Sequence, residues 1–173
     1  MEEKVKFMRA ALARARKGLA RGEVPVGAVV VCGGKIVGSG YNRRAGKQSA
    51  SSHAEMYAID RACKKFKSWR LPECDLYVTL EPCPMCMGAA LNARIRKIYF
   101  GAYEQKGRSM TRELAESNLL NHTLEVEGGV LEEECSALLT GFFRDMRRKS
   151  AGAPAGESAV GGTERPASPE ENG

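Results

Sequence analysis

The sequence predicts an α/β protein, a three-layer α/β/α sandwich around a single mixed sheet. Segments rich in β-branched residues alternate with longer segments of helical periodicity, which is typical of such sandwiches. Gly33 and Gly34 separate two β-type runs, as in a hairpin with a tight turn. The chain has 173 residues, of which 43% are hydrophobic, enough for one well-packed core.

The predicted elements follow in order along the chain. The first is a helix, because apolar residues recur at spacings of three and four while basic residues occupy its other faces; these apolar residues are Val5, Met8, Leu12, Ala15 and Leu19. The hairpin comes next. We then expect a helix from His53 to about Lys65, a strand at 75–80, a helix from residue 84, a strand at 97–101, a short strand within 123–131 and a closing helix at 131–149.

Composition divides the chain into one domain, residues 1–150, and a tail, residues 151–173. The tail is rich in Gly, Ala, Pro, Ser and Glu and lacks aromatic residues, so we expect it to be disordered. It contributes −3 and residues 1–150 contribute +9 to the formal net charge of +6. A basic domain of this kind is compatible with a nucleic-acid partner.

The N-terminal segment has no uninterrupted apolar stretch, and no apolar run approaches the roughly 18 residues that indicate a membrane span. We therefore expect a cytoplasmic protein without a membrane partner. In that setting the six cysteines are expected to be free thiols or metal ligands rather than disulfides.

Two short stretches contain residues typical of a metal centre. His53 begins a predicted helix and Glu55 follows it, while Cys83 and Cys86 form a Cys-x-x-Cys at the start of the next helix. Alone, the Cys-x-x-Cys also fits a thioredoxin-type redox motif or half of a structural zinc site. Together, one histidine and two cysteines leave the fourth position of a tetrahedral zinc open, as in catalytic sites. Glu55 is then placed beside that position as a proton shuttle.

This H-x-E and P-C-x-x-C pattern resembles that of the zinc-dependent nucleobase deaminases. More narrowly, the chain resembles the bacterial tRNA-specific adenosine deaminases from its first helix to about Lys149. The resemblance rests on several segments in the same order, which are GEVPVGAVVV, YNRR, HAEMYAID, WRL, LYVTLEPCPMCMGA, ARIRKIYFGA, NHTLEVEGGVLEEECSALL and FFRDMRR.

The resemblance implies a cytidine deaminase-like fold and the hydrolytic deamination of adenosine to inosine at the wobble position of a tRNA anticodon. It implies one Zn²⁺ per chain, bound by His53, Cys83 and Cys86, which activates water while Glu55 acts as general acid and base. The implied partners are the tRNA anticodon loop and a second copy of the chain in a homodimer.

The resemblance also implies substrate contacts by four residues, which are Asn42, Ala54, Glu104 and His122. The chain departs from the family in two places. Glu104 stands where the family usually has aspartate, in a loop at 104–112 that looks shortened, and the segment 47–52 lacks the common Asp-Pro-Thr. Both segments correspond to regions with which the family grips the anticodon loop, so we expect the departures to affect RNA contacts rather than the chemistry.

Three other functions compete with this interpretation. A deaminase of a free base or nucleoside, of the guanine, cytosine or adenosine type, would use the same chemistry. The LNARI segment (91–95) and the basic domain favour tRNA over that alternative. A zinc-stabilised RNA-binding module without catalysis has no use for Glu55 beside an open coordination position, and no other thioredoxin-like feature supports a redox protein.

Overall fold

In the computed structural model, which describes residues 2–104, 110–118 and 120–151, five strands form one mixed sheet. The strands are β1 Gly27–Cys32, β2 Lys35–Tyr41, β3 Cys74–Leu80, β4 Lys97–Ala102 and β5 Glu125–Glu127. Their order across the sheet is β2-β1-β3-β4-β5. β1 runs antiparallel to both of its neighbours, whereas β3, β4 and β5 are parallel to one another.

The helices cover both faces of the sheet. They are α1 Glu2–Leu19, α2 Arg44–Lys47, α3 Ala54–Phe66, α4 Pro84–Asn92, α5 Thr111–Glu116 and α6 Glu132–Ala151. Side chains alternate along a strand, so Val29 and Val31 of β1 pack with α1 while Ala28 and Val30 pack with α3 and α4. The predicted three-layer sandwich around a mixed sheet is confirmed.

The predicted hairpin is present at its expected position. β1 and β2 pair in antiparallel register, and Gly33 and Gly34 connect them with φ of 54° and 70°. Both values lie in the left-handed region that glycine adopts without a steric penalty. A two-residue turn of this kind matches the twist of the flanking strands.

The buried face of α1 differs from the predicted stripe. Met8, Leu12 and Ala15 are buried as expected, but Leu19 is 36% exposed and Phe7 lies in the core instead. Phe7 packs against the ring of Tyr77 on β3, with ring centroids 5.4 Å apart. Burial of this larger ring against the sheet sets the rotation of the helix, a tertiary effect that periodicity alone does not resolve.

Two short helices, α2 and α5, were not predicted, because segments of four and six residues give little periodicity to detect. The closing helix extends to Ala151, one residue into the predicted tail, and the remainder of that tail lies outside the described residues. None of the helices in the described part of the chain combines the length and apolar composition needed to cross a membrane.

Glycines in β2 let α3 approach the sheet closely. A Cβ at Gly38 would collide with the backbone carbonyl of Ala58, and a Cβ at Gly40 would collide with that of Ala54. The first turn of α3 is therefore held directly against the strand. Its position matters for the site, because His53 immediately precedes this turn and Glu55 lies within it.

We expect Gly38→Ala to lower the free energy of unfolding by about 1–3 kcal/mol, because the added methyl group overpacks the contact with α3. The matched control is Gly141→Ala in α6, where a Cβ meets nothing within 4 Å. That variant should gain roughly 0.5–1 kcal/mol of stability from higher helix propensity. Urea denaturation measures both changes. If Gly38→Ala is as stable as the wild type, α3 can move away from the sheet to accommodate the methyl group.

Candidate active site

The N-termini of two helices meet beyond one end of the strands, the end at which β3 finishes. His53 is the N-cap residue of α3, and Cys83 is the N-cap residue of α4. Pro84 occupies the first turn of α4, where its fixed φ favours the start of a helix and its missing N–H costs nothing. Cys86 lies in the same turn, so a Cys-x-x-Cys at this helix start directs both thiols towards His53.

The three side chains have the separations that a metal ion requires. The Nδ1 atom of His53 lies 3.7 Å from Sγ of Cys83 and 3.5 Å from Sγ of Cys86. Bond lengths of about 2.3 Å to sulfur and about 2.0 Å to nitrogen in a tetrahedron place such atoms roughly 3.5 Å apart. In the described part of the chain these residues are the one group of three or more potential ligands found close together. The donor set therefore fits zinc.

The electrostatics of the group favour a thiolate. Hydrogen bonds from the Cys86 thiol and from His53 lower the pKa of Cys83 to about 3. The same Cys83–Cys86 contact raises the pKa of Cys86, because its thiol is then the donor, and the contact with Cys83 raises the pKa of His53. The site thus stabilises negative charge on sulfur, which is the state that binds metals.

Glu55 is the buried acid of the site. Its side chain is 3% exposed, and burial raises the pKa of its carboxyl group. Its Oε2 atom is the one buried side-chain oxygen or nitrogen in the described residues that has no hydrogen-bond partner. A buried carboxylate oxygen without a partner is costly. Such an atom is typical of a functional group whose partner is a reacting molecule.

His53, Glu55 and Cys83 face a cavity of about 540 Å³. This volume lies within the range of small-molecule sites. α6 also lines the cavity, mainly through Leu139, Thr140, Phe143 and Arg147. Sequence reasoning did not predict this role for α6. The sequence shows these residues as part of an amphipathic helix, and nothing in that pattern distinguishes a cavity wall from a core face.

Asn42 joins the cavity to the start of α3. It is buried, lines the cavity and accepts a hydrogen bond at its Oδ1 from the backbone N–H of Ala54, at 3.0 Å. This bond fixes the turn between His53 and Glu55. The side chain of Ala54 belongs to the apolar core rather than to the cavity lining.

The two remaining predicted substrate residues lie in different places. Glu104 lines the cavity, and its backbone N–H donates to Oε2 of the buried Glu81 at 3.1 Å. His122 is not among the residues that line the cavity. Its Nε2 atom lies 2.8 Å from the carbonyl oxygen of Ile95, which ties the segment before β5 to the chain between α4 and β4.

Buried carboxylates that the sequence did not reveal hold the loops around the cavity. Glu81 holds the loop after β4 through Glu104, as described above. Glu23 accepts hydrogen bonds from the backbone N–H groups of Ala45 and Gly46, at 3.1 and 2.7 Å. It thereby fixes α2, which places Arg44 at the cavity. No periodicity or spacing separates these glutamates from solvent-exposed ones.

A mixed sheet with helices on both faces, and with one histidine, two cysteines and a buried glutamate at a cavity, defines a hydrolytic nucleobase deaminase. A model of the MafB19-like deaminase family matches residues 2–147. The tRNA-specific adenosine deaminase of Bacillus subtilis (strain 168) is 46% identical over 149 residues, 85% of this chain and 92% of that protein. The chain belongs to this deaminase family and, within it, to the tRNA-specific adenosine deaminases.

Two further comparisons agree. The tRNA-specific adenosine deaminase of Haemophilus influenzae is 43% identical over 147 residues, 83% of this chain and 85% of that protein. A solved structure from work on A-to-I editing by tRNA deaminases at the wobble position is 40% identical, with a TM-score of 0.72. The match covers 78% of this chain and 99% of that structure.

Proposed function

We propose that this protein deaminates adenosine to inosine at the wobble position of a tRNA anticodon, with ammonia as the second product. The observation that carries the proposal is the unpartnered oxygen of Glu55, buried beside the His53, Cys83 and Cys86 group at a cavity. Relatives that are more than 40% identical to the chain over the aligned residues are tRNA-specific adenosine deaminases, which supports the choice of substrate.

Zinc is the metal that we assign to His53, Cys83 and Cys86, one ion per chain, on the chemistry of the donor set. When bound, zinc supplies Lewis acidity that makes water a nucleophile at neutral pH. Glu55 then moves the protons. Its carboxylate accepts a proton from the attacking water and donates it to the purine ring. It then accepts the remaining proton of the hydroxyl group added to the purine and transfers that proton to the amino group, which leaves as ammonia.

Burial gives Glu55 both of these roles. Its raised pKa makes the carboxylate a better proton acceptor than that of an exposed glutamate. It also keeps the carboxyl group protonated until the proton is transferred to the ring or to the leaving amine. The bond from Ala54 N–H to Asn42 keeps the adjoining turn rigid, so the carboxylate stays aligned with the cavity. We assign Asn42 a second role in substrate contact, because its side chain lines the same cavity.

The cationic residues Arg44 and Arg147 line the cavity and are suited to the phosphates of an anticodon loop. An anticodon loop is single-stranded, so a base can enter the cavity without disruption of a duplex. The stretches of α1 and α6 near Arg14–Lys17 and Arg144–Lys149 carry further positive charge. The same proposal places the protein in the cytoplasm, together with its tRNA substrate.

The direct test is incubation with total tRNA and, separately, with free guanine, cytosine, adenine and adenosine. Inosine in digested tRNA and released ammonia are measured in each reaction. We expect inosine at position 34 of one or a few tRNAs and no ammonia from the free compounds. Ammonia from a free base, with every tRNA adenosine intact, would establish the small-molecule deaminase instead.

We expect Arg147→Gln to weaken tRNA binding and to lower the slope of log affinity against log salt by about 1, since one phosphate contact is lost. Lys65→Gln on α3 is the control, because it removes the same charge from an exposed position that does not line the cavity. Filter binding at several salt concentrations measures both variants. Equal slopes for the two would place the RNA elsewhere.

We also propose that the protein is a homodimer, as the family resemblance implies. α4 supports the proposal because a Cβ added at Gly88 would meet nothing within 4 Å and Met85 is 38% exposed, which leaves room for a second chain on that helix. Sedimentation at micromolar concentration should give twice the mass of the chain. A fully active monomer would contradict this assignment.

A further inference from the structure

Two cysteines oppose each other at the end of the sheet away from the candidate active site. Cys32 is the last residue of β1 and Cys74 the first of β3, and the two are partners in the antiparallel register. Directly opposed residues share one face of a sheet. Accordingly, both side chains pack in or against the same part of the apolar core, beneath α3.

The backbone geometry at this pair suits a disulfide. The N–H of Cys74 donates to the carbonyl of Leu71, and its carbonyl accepts from the N–H of Arg96, each at 3.0 Å. Neither group bonds to β1, so Cys32 and Cys74 form a non-hydrogen-bonded pair, whose Cα atoms lie about 4.5 Å apart in antiparallel sheets. This separation is within the roughly 4.4–6.8 Å that a disulfide spans. Both residues are free thiols in the structure.

We propose that Cys32 and Cys74 form a reversible thiol-oxidation site, at which a small-molecule disulfide converts the two thiols into a cross-strand disulfide. The half-exposed Cys32 reacts first. Its thiolate attacks one sulfur of the small disulfide, forms a mixed disulfide and releases the other half as a thiol. Cys74 then loses its proton and displaces the second half. Two protein thiols are oxidised, and one small disulfide is reduced to two thiols.

Burial controls the second of these steps. Cys74 is 2% exposed, and burial together with the neighbouring Cys32 raises its pKa to about 12. Thiolate is the attacking species, so closure of the bond is slow. Cys63 lies on α3 near the same core, but its thiol is directed to the carbonyl of Trp69 at 3.8 Å. Cys74 is therefore the residue that resolves the mixed disulfide.

The disulfide would enclose the catalytic segment. The loop between Cys32 and Cys74 contains α2 and α3, and with them Asn42, His53 and Glu55. Closing a loop of this length restricts the unfolded chain, which stabilises the folded one. Cys83 follows the opposite end of β3, roughly 20 Å away at 3.3 Å per residue. Oxidation of the pair is thus separate from the metal ligands, and the inference stands independently of the proposed deaminase activity.

The test is incubation of the full-length, zinc-loaded protein with oxidised glutathione, followed by alkylation of remaining thiols and mass spectrometry of a non-reduced digest. We expect a peptide pair linked through Cys32 and Cys74 that dithiothreitol separates. The melting temperature of the oxidised protein should rise by about 5–10 °C. Cys32→Ser should show neither the link nor the rise in melting temperature.

Two further variants test whether the link forms through Cys32 and Cys74 in the proposed order. Cys74→Ser should stop at a glutathione adduct on Cys32, because the resolving thiol is missing. Cys135→Ser removes a buried cysteine from the opposite face of the sheet and should retain the link. The proposal is overturned if oxidised wild-type protein keeps both thiols free, if Cys63 is joined to either residue, or if the adduct on Cys32 persists without resolution.

Discussion

Glu55→Gln is expected to lower the turnover number for adenosine deamination by on the order of 10⁴-fold, the upper end of what one general acid–base group contributes. The reason is that a single carboxylate serves every proton transfer of the reaction. Glutamine has almost the same shape and fits the buried position, but it can neither accept the proton from water nor return it to the purine. Single-turnover kinetics with a tRNA substrate measure the effect.

The decisive controls concern zinc and folding. Glu55 does not belong to the group of potential metal ligands, so Glu55→Gln should retain about one zinc per chain and a cooperative unfolding transition. Glu73→Gln makes the same chemical change at an exposed position before β3 and should leave turnover unaltered. Turnover of Glu55→Gln within tenfold of the wild type would mean that another group carries the protons.

The positions of His53, Cys83 and Cys86 at helix starts could be predicted from the sequence, because local chemistry determines them. A Cys-x-x-Cys at a helix start places two thiols within one turn, and the caps at His53 and Cys83 require only their own segments. The Gly33-Gly34 turn is local in the same sense. Fold class follows from the alternation of strand and helix patterns. These features can be predicted because the preferences of residues close together in the sequence determine them, without contacts to distant segments.

The rest depends on contacts between segments far apart in sequence. Glu23 is fixed by two N–H groups more than twenty residues away, and α6, about a hundred residues after Asn42, lines the same cavity. The substrate residues show the same limit. Asn42 and Glu104 line the cavity whereas Ala54 and His122 do not, although all four were predicted in the same way from family resemblance. Only tertiary packing separates them.

The second large effect concerns the metal ligands. Cys83→Ser and Cys86→Ser are each expected to lose zinc on dialysis against a chelator and to lose turnover by about 10³-fold or more. A serine hydroxyl is a hard, protonated oxygen that replaces thiolate poorly as a ligand to zinc. The Lewis acidity that zinc supplies is worth several kcal/mol in the transition state, and each 1.36 kcal/mol corresponds to a factor of ten in rate.

The two positions should differ in their effect on folding. Cys86 is completely buried, whereas Cys83 is partly exposed, so Cys86→Ser also places a hydroxyl where water cannot reach it and should be the less stable variant. Cys63→Ser is the control, because it changes another partly exposed cysteine outside the ligand group. It should keep both zinc and activity. Full zinc occupancy in the Cys83→Ser, Cys86→Ser double variant, measured by atomic absorption, would remove these thiols from the metal centre.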